Sequence, residues 1–130
     1  MELPECTPGL SARVELTVTD ADTAQSLGSG DVPVLGTPRV LALAEAATVA
    51  ATARQMPGGM TTVGTRAEVE HKAPTPVGRL IIATATLAKV DGRKLLFEVV
   101  LRDGEEIVAE VRVERVILDR QRFISRALGD

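Results

Sequence analysis

Hydrophobic and polar residues alternate in the first patterned stretch of the chain. Across residues 11–19, Val14, Leu16 and Val18 alternate with charged and hydroxyl residues, and this period of two predicts a half-buried strand. Residues 20–36 are mostly small and polar, with several glycines and a proline, which predicts a loop. Because long loops in small domains are usually functional or mobile, we expect residues 20–36 to form a lid.

A long helix is predicted next. Thr37 followed by Pro38 is the pattern of an N-cap residue and the first helical residue. Apolar and small residues then continue to about Arg54 and lie on every side of the helix, which is typical of a buried helix. The Pro-Gly-Gly sequence at residues 57–59 ends it.

Alternating strand patterns fill most of the second half of the chain. Asp91-Gly92 and Asp103-Gly104 each lie between alternating runs, which predicts two hairpin turns and a meander of three strands. Residues 79–90 are apolar on both faces, which is typical of a central strand or a subunit contact. A short helix is expected over residues 120–127. The residues predicted to face inward are Val63, Thr65, Ala67, Val69 and His71 in the strand before the meander, and Leu95, Phe97, Val99, Leu101, Ile107, Ala109, Val111 and Val113 in its later strands.

The order of these elements predicts an α+β fold. One strand, a loop, a long helix and four further strands contain no β-α-β alternation, so we expect an antiparallel sheet wrapped on one face around one helix. A chain of 130 residues has the size of one domain, residues 1–130, with residues 1–10 as a tail. Open sheet edges and an apolar helix need cover, which favours a homodimer.

Composition and charge exclude several classes of protein. The chain is 45% apolar and 25% charged, as in soluble globular proteins, and no apolar run approaches the length of a membrane-spanning helix. The net charge is −3 and Phe97 and Phe123 are the only aromatic residues, which argues against nucleic-acid binding. One cysteine, Cys6, and one histidine are too few for a disulfide framework or a metal cluster. The first residues do not form a secretory signal, so a cytoplasmic location is expected.

Glu45 is the most unusual residue of the predicted helix. It is the only charged residue between Arg39 and Arg54. A carboxylate inside a protein is costly unless it is paired or hydrogen-bonded, and such residues are enriched at functional sites. Glu45 is therefore a candidate catalytic residue. The alternative is structural: Glu45 faces solvent or pairs with an arginine such as Arg115.

His71 and Thr37 are the other candidate site residues. His71 is predicted to face inward where a strand meets a loop, a position that functional sites favour, although a structural histidine is the alternative. Capping alone accounts for Thr37, but a helix N terminus also suits a carbonyl oxygen that gains charge during attack. Thr37 and Glu45 are separated by about 12 Å along the helix, so they are expected to flank a substrate.

Scattered basic residues offer a weaker candidate site. An anionic nucleotide tail would need such groups, but scattered charges are usual on a solvated surface. No phosphate loop, nucleophile elbow or metal-ligand spacing is present. The residues concerned are Lys72, Arg79, Arg93, Lys94, Arg120 and Arg122.

Two stretches of the chain, residues 34–45 and 63–78, resemble the hotdog-fold thioesterases, specifically the fluoroacetyl-CoA thioesterase-like group, and the resemblance covers residues 11–119. In that group, a threonine at the helix start, a glutamate eight residues later and a histidine at the end of the next strand form the catalytic set. Thr37, Glu45 and His71 occupy these places in this sequence.

The resemblance implies a homodimer with its helices packed back to back and its sheets joined. It also implies hydrolysis of an acyl-CoA thioester near the dimer interface, with no cofactor, because coenzyme A is part of the substrate. In this mechanism Glu45 attacks the thioester carbonyl or activates water to do so, and His71 relays protons and helps the thiolate leave. Thr37 positions Glu45 or the substrate.

One departure from the group concerns the acyl group. Fluoroacetyl-specific enzymes place aromatic residues ahead of the threonine as a lid, whereas residues 27–36 contain none. We therefore expect a short or medium acyl chain and little preference for fluoroacetyl. A non-catalytic acyl-CoA-binding module is the main alternative, because a fold does not determine a function. A hotdog hydratase fits the spacing of Glu45 and His71 less well, and a scaffold role has no specific feature in its favour.

Overall fold

Five antiparallel strands and three α-helices account for most of the computed structural model, which describes residues 2–129. The strands are β1 (Ser11–Thr17), β2 (Met60–His71), β3 (Leu80–Asp91), β4 (Lys94–Asp103) and β5 (Glu106–Asp119). The helices are α1 (Ala24–Leu27), α2 (Thr37–Thr52) and α3 (Arg120–Leu128), and short 3-10 turns cover Asp20–Asp22 and Ala53–Gln55. The strands lie in the order β1-β3-β4-β5-β2. This arrangement confirms the predicted α+β architecture of a sheet against one long helix.

Helix α2 packs one side against the sheet. Its other side, which includes Ala42, Ala46 and Ala50, is exposed, and Val49 is 47% exposed. The prediction that α2 is buried on every side is therefore wrong for the described chain, because the sheet covers only one side of it. The buried residues of α2 are Val40, Leu43, Ala44, Ala47, Thr48, Ala51 and Thr52.

The N-cap of α2 is Gly36, with φ −83° and ψ 146°, and Thr37 is the first helical residue. The prediction of Thr37 as the N-cap is thus wrong by one position. The carbonyl of Gly36 accepts the first helical hydrogen bond, from Val40 N at 3.1 Å, and its N–H donates to the carbonyl of Asp22 at 2.9 Å. A Cβ on Gly36 would lie 3.0 Å from Cα of Ala24, so the chain needs a glycine where these two segments meet.

The two predicted hairpins are present. Gly92 between β3 and β4 has φ 57°, and Gly104 between β4 and β5 has φ 59°, the left-handed conformation that these turns require. Strand β3 pairs with β1 on one side and with β4 on the other. It is therefore an interior strand, although the middle position of the sheet belongs to β4.

A β-bulge in β2 changes which of its residues face the helix. Gly64 pairs with Arg115 and Arg66 pairs with Glu114, so Thr65 is an extra residue in the ladder. Before the bulge, Thr62 and Gly64 face α2, and the prediction that Val63 and Thr65 face inward is wrong. A strict period of two cannot persist through an inserted residue. Ala67, Val69 and His71 lie after the bulge in the predicted register, opposite the inward-facing Val113, Val111 and Ala109.

A second bulge affects the start of β5. Leu101 pairs with Ala109, and Arg102 pairs with Ile107, so Val108 is the extra residue. Val108 is fully buried, whereas Ile107 is half-buried. The predicted inward position of Ile107 is wrong for the same reason as in β2.

The segment 20–36 is tied down at Asp22. The Asp22 carboxylate accepts hydrogen bonds from the N–H of Thr19 at 2.8 Å, from its hydroxyl at 2.9 Å and from Nε of Arg39 at 3.0 Å. Burial raises the pKa of Asp22, but these hydrogen bonds and the charge of Arg39 together hold it below its usual value. Arg39 lies in the first turn of α2, so the segment is anchored to the start of that helix. The role of the segment 20–36 as a lid stays a prediction.

Both ends of the chain are also ordered within the described residues. Gly9 and Leu10 exchange backbone hydrogen bonds with Leu87, each at 2.8 Å, and Cys6 and Leu10 pack on the core. At the other end, α3 confirms the predicted short helix, and the Asp119 side chain caps it by accepting from Arg122 N at 2.9 Å.

Within residues 2–129, no helix combines the length and the apolar character needed to cross a membrane. The same residues contain no group of three or more histidine, cysteine or acidic side chains placed to hold a metal ion.

Candidate active site

The side chains of Thr37 and His71 meet at a hydrogen bond. Thr37 Oγ1 lies 2.8 Å from Nδ1 of His71. One residue begins α2 and the other ends β2, and 34 positions separate them in the sequence. The structure therefore brings together two of the three predicted site residues. It places the Thr37 hydroxyl on His71 and not on Glu45.

Burial controls the ionisation of His71. Loss of hydration lowers the pKa of its imidazole, and the nearby Ala73 backbone acts more weakly in the opposite direction. Its Nε2 is buried and has no hydrogen-bond partner among the described residues. If Nδ1 donates to Thr37, Nε2 is free to accept a proton, and if Thr37 donates to Nδ1, Nε2 carries one. Burial thus favours the neutral imidazole, and Nε2 is the ring nitrogen without a partner among the described residues.

A cleft of about 310 Å³ lies beside this pair. Thr37 and His71 are part of its wall, and the segment 20–36 supplies most of the rest, so the predicted lid segment borders the candidate site. A second cleft, of about 570 Å³, lies beside α3 and is lined by polar residues without a histidine. The other residues that line the first cleft are Ala24, Ser29, Gly30, Val32, Val34, Leu35, Gly36, Lys72, Ala73 and Pro74.

Glu45 lies two helical turns after Thr37 and pairs with another residue. Its Oε2 accepts a hydrogen bond from Nη1 of Arg115 at 3.1 Å, and its side chain is 38% exposed. Within residues 2–129, it makes no hydrogen bond to Thr37 or His71. The structural alternative for Glu45, a pair with Arg115, is thus observed, and the expectation that it is buried in the chain is wrong. Its catalytic role stays a prediction.

Arg115 is a further candidate site residue, which its sequence position indicates only as a possible partner of Glu45. Its side chain is 8% exposed, and burial lowers the pKa of its guanidinium while the Glu45 carboxylate raises it. The inward-facing positions of β5 are the odd-numbered residues from Ala109 to Ile117, and Arg115 is the one charged residue among them. That break in an otherwise apolar period is the signal that identifies it in the sequence.

Most of the scattered basic residues lie away from the cleft. Among the six named above, Lys72 alone lines it in the described structure, and Lys72 also pairs with Glu110 at 3.0 Å. Arg79 forms an ion pair with Asp103 at 2.7 Å. The structure therefore does not gather these residues into a site for an anionic nucleotide tail.

Sequence comparison relates the chain to one family of enzymes. The family described as fluoroacetyl-CoA-specific thioesterase matches residues 18–121. The fluoroacetyl-CoA thioesterase of Streptantibioticus cattleyicolor is 33% identical over 90 residues, which are 69% of this chain and 65% of that relative. The match therefore spans slightly less than two thirds of the relative's length.

Solved structures support the same relation. The structure of the fluoroacetyl-CoA thioesterase FlK superposes with a TM-score of 0.89 at 26% identity, covering 97% of this chain and 98% of the other. A hot-dog-like protein from Thermanaerovibrio acidaminovorans superposes with a TM-score of 0.86 at 24% identity, covering 94% of this chain and 90% of the other. These similarities confirm the predicted hotdog fold.

Proposed function

The chain belongs to the family of fluoroacetyl-CoA-specific thioesterases, and from this premise we propose that it hydrolyses an acyl-CoA thioester to a free acid and coenzyme A. The observation that carries the proposal is the 2.8 Å hydrogen bond between Thr37 and His71 at the edge of the cleft. This pair supplies an oriented acid-base group, which thioester hydrolysis needs. The activity named for the relative from Streptantibioticus cattleyicolor supports the same reaction.

His71 acts on the leaving group in this proposal. His71 takes up a proton that the attacking water releases, and it gives this proton to the coenzyme A thiolate as the bond from carbonyl carbon to sulfur breaks. Thr37 holds the imidazole by Nδ1 and so fixes the direction in which Nε2 points. The role of Thr37 is thus to orient His71 beside the substrate.

Glu45 starts the reaction by one of two routes. In the water route, the carboxylate takes a proton from a water molecule, and the water oxygen bonds to the thioester carbonyl carbon. In the covalent route, a carboxylate oxygen forms that bond, coenzyme A leaves, and water then cleaves the resulting anhydride. Either route consumes one water and yields one acid and one thiol. The exposure of the Glu45 side chain leaves it accessible to a substrate.

We propose a short or medium aliphatic acyl group for the substrate. Apolar side chains, Ala24, Val32, Val34 and Leu35, form much of the cleft wall, and its lining residues include no phenylalanine, tyrosine or tryptophan. Such walls discriminate weakly between acyl groups of similar size, since one methylene is worth roughly 1–3 kcal/mol. Fluoroacetyl-CoA, the substrate in the name of the relatives, belongs in the test panel. A large preference for fluoroacetyl over acetyl would contradict this part of the proposal.

We also propose that the enzyme is a homodimer. The exposed face of α2 carries small apolar side chains, and β2 is an edge strand of the sheet. A second copy placed across these two features would cover an apolar helix face and an open edge together. Sedimentation velocity on the purified chain is expected to give the mass of two chains, and a monomer at micromolar concentration would overturn the dimer. We also propose that the enzyme is located in the cytoplasm.

A non-catalytic acyl-CoA-binding module is the second candidate function. The pairing of Glu45 with Arg115 favours it, because that contact alone accounts for a carboxylate on this helix. Such a module would bind acyl-CoA esters without releasing free thiol.

Free-thiol release from a panel of acyl-CoAs tests the proposal. The panel runs from acetyl and fluoroacetyl to medium chains and phenylacetyl, with wild type, Glu45→Gln and His71→Ala compared after dialysis against a chelator. Glu98→Gln, on the outer face of the sheet, is the matched control. Turnover by wild type and by the control, with loss in both site variants, is expected. Thermal stabilisation by the esters without thiol release would favour the binding module.

A further inference from the structure

Arg115 is held in place by β2 and not by Glu45. Its Nε donates to the hydroxyl of Thr62 at 2.9 Å, and its Nη2 donates to the carbonyl of Thr62 at 2.9 Å. Thr62, on the neighbouring strand, thus holds two of the three guanidinium nitrogens. The remaining contact, from Nη1 to Glu45 at 3.1 Å, points out of the sheet toward α2.

The two partners of this ion pair differ in exposure and in the number of their contacts. The Arg115 side chain is 8% exposed and the Glu45 side chain is 38% exposed. Among the described residues, Arg115 is the only charged residue buried in a strand. Removal of Glu45 would leave Arg115 bound to Thr62, whereas removal of Arg115 would leave the Glu45 carboxylate without its observed side-chain partner. Arg115 therefore keeps its orientation without Glu45, whereas Glu45 depends on Arg115 for its orientation.

Gly64 leaves room for this carboxylate. It pairs with Arg115 across the β2–β5 ladder, and a Cβ on it would lie 2.5 Å from Oε2 of Glu45. The bulge that follows Gly64 brings this position to the helix-facing side of β2. The carboxylate thus lies between the Gly64 backbone and the guanidinium, with part of the Glu45 side chain still exposed.

We propose that Arg115 is a positioning residue, which holds the Glu45 carboxylate in the orientation that attack on the thioester, or activation of water, requires. The inference rests on the proposed function, in which Glu45 is the reacting group. Arg115 acts through Glu45, and Thr62 acts through Arg115. A structural ion pair would contribute to stability alone, whereas a positioning residue also determines kcat.

A kinetic double-mutant cycle separates these two roles. Arg115→Lys keeps a positive charge but cannot reproduce the planar donor fork that binds Thr62. We expect kcat to fall about 10- to 100-fold with KM nearly unchanged, since small misplacements of a reacting group have effects of this size. In a Glu45→Gln background the same substitution is expected to have no further effect, because the two residues act as one unit. Full kcat in Arg115→Lys, or additive losses, would overturn the proposal.

Two further variants guard against misfolding. Thr62→Val removes one acceptor of the guanidinium but keeps Arg115 and Glu45, and we expect a smaller loss of kcat than in Arg115→Lys, with a lowered unfolding midpoint because a buried N–H loses its acceptor. Arg112→Lys lies on the outer face of the same strand, where Arg112 pairs with Glu98 at 3.6 Å, and is expected to keep the wild-type kcat. Full kcat in Thr62→Val would count against the anchoring of Arg115.

Side-chain NMR decides the inference independently of turnover. The order parameter of the Glu45 side chain is expected to fall in Arg115→Lys and to stay at the wild-type value in Arg112→Lys. If wild type hydrolyses no acyl-CoA, the proposed function fails, while this measurement still shows whether Arg115 orders Glu45. An unchanged order parameter in Arg115→Lys would overturn the positioning role even in an active enzyme.

Discussion

The Thr37 hydroxyl and Nδ1 of the His71 imidazole are hydrogen-bonded at 2.8 Å. Thr37 is the first residue of α2, and a threonine at a helix start commonly uses its hydroxyl to cap the helix. The cap position belongs to Gly36, so the hydroxyl is available to a residue that lies far away in the sequence. This contact couples the start of α2 to the end of β2. Capping and orientation of the histidine can therefore be tested separately.

Replacement of Thr37 is expected to affect catalysis more than stability. In Thr37→Val the imidazole loses its only side-chain hydrogen bond among the described residues, so kcat should fall about tenfold or more. The unfolding free energy should change by less than about 0.5 kcal/mol, because Thr37 is exposed. Thr37→Ser should retain most of the activity. Steady-state kinetics and chemical denaturation measure the two effects.

The control for this prediction is a side chain that does cap a helix. Asp119 accepts from Arg122 N at the start of α3, and Asp119→Ala should cost about 1 kcal/mol of stability without a change in kcat. Equal destabilisation by the Thr37 and Asp119 variants would indicate that Thr37 is a structural residue.

The single histidine makes the pH dependence accessible to direct measurement. Burial lowers the pKa of His71 from its usual 6.5, so an NMR titration should give a midpoint below 6.5. Because the unfolded chain binds this proton more readily than the folded one, His71 contributes stability above pH 6.5, and this contribution is lost as the pH falls through the window below it. kcat/KM should also fall as the pH decreases and His71 gains a proton, and the midpoint of this fall should lie below pH 6.5. A midpoint above this value would contradict the burial argument.

Gly64→Ala tests the space around the Glu45 carboxylate. The added Cβ would lie 2.5 Å from Oε2 of Glu45 and 3.4 Å from Nη1 of Arg115, so the carboxylate must move. We expect kcat to fall about tenfold or more, with little change in the unfolding midpoint, because the displaced atom is the end of a flexible side chain. Gly58→Ala, whose Cβ would meet nothing within 4 Å, is the matched control and should keep full activity. Equal kcat values in the two variants would contradict the prediction.

Asp22→Asn tests the anchor of the segment 20–36. The loss of charge weakens the contacts with Arg39 and Thr19, and we expect a loss of about 1–2 kcal/mol in unfolding free energy at pH 7. Because the pKa of Asp22 is held below its usual 3.8, the carboxylate contributes stability above pH 3.8, and this contribution is lost as the pH falls below it.

Denaturation curves of wild type and Asp22→Asn at several pH values measure the effect, and the difference between them should shrink in acid. Glu98→Gln, in an exposed pair with Arg112 at 3.6 Å, should change stability by less than about 0.5 kcal/mol. Equal stabilities of wild type and Asp22→Asn at pH 7 would show that Asp22 does not anchor the segment.

Local patterns were sufficient for most of the architecture. The apolar composition of α2, the Asp-Gly turns and the alternation in β1, β4 and most of β5 each depend on residues that are close in the sequence, and all of these elements are present. His71 also faces inward as predicted, because it lies after the bulge of β2, where the register agrees again with the strict alternation. The positions before the bulge were wrong, since one inserted residue reverses every preceding side chain.

The sequence by itself determined the α+β fold class and the order of its elements, because periodicity and turn chemistry are local properties of a chain. It also offered Thr37, Glu45 and His71 as candidate site residues. Only the tertiary structure decided how those residues are partnered. It paired Thr37 with His71, joined Glu45 to Arg115, and placed Thr62 and Gly64 beside that ion pair. The reason is physical: these contacts depend on strand register, a bulge and the docking of α2 on the sheet, which are set by pairing between distant residues.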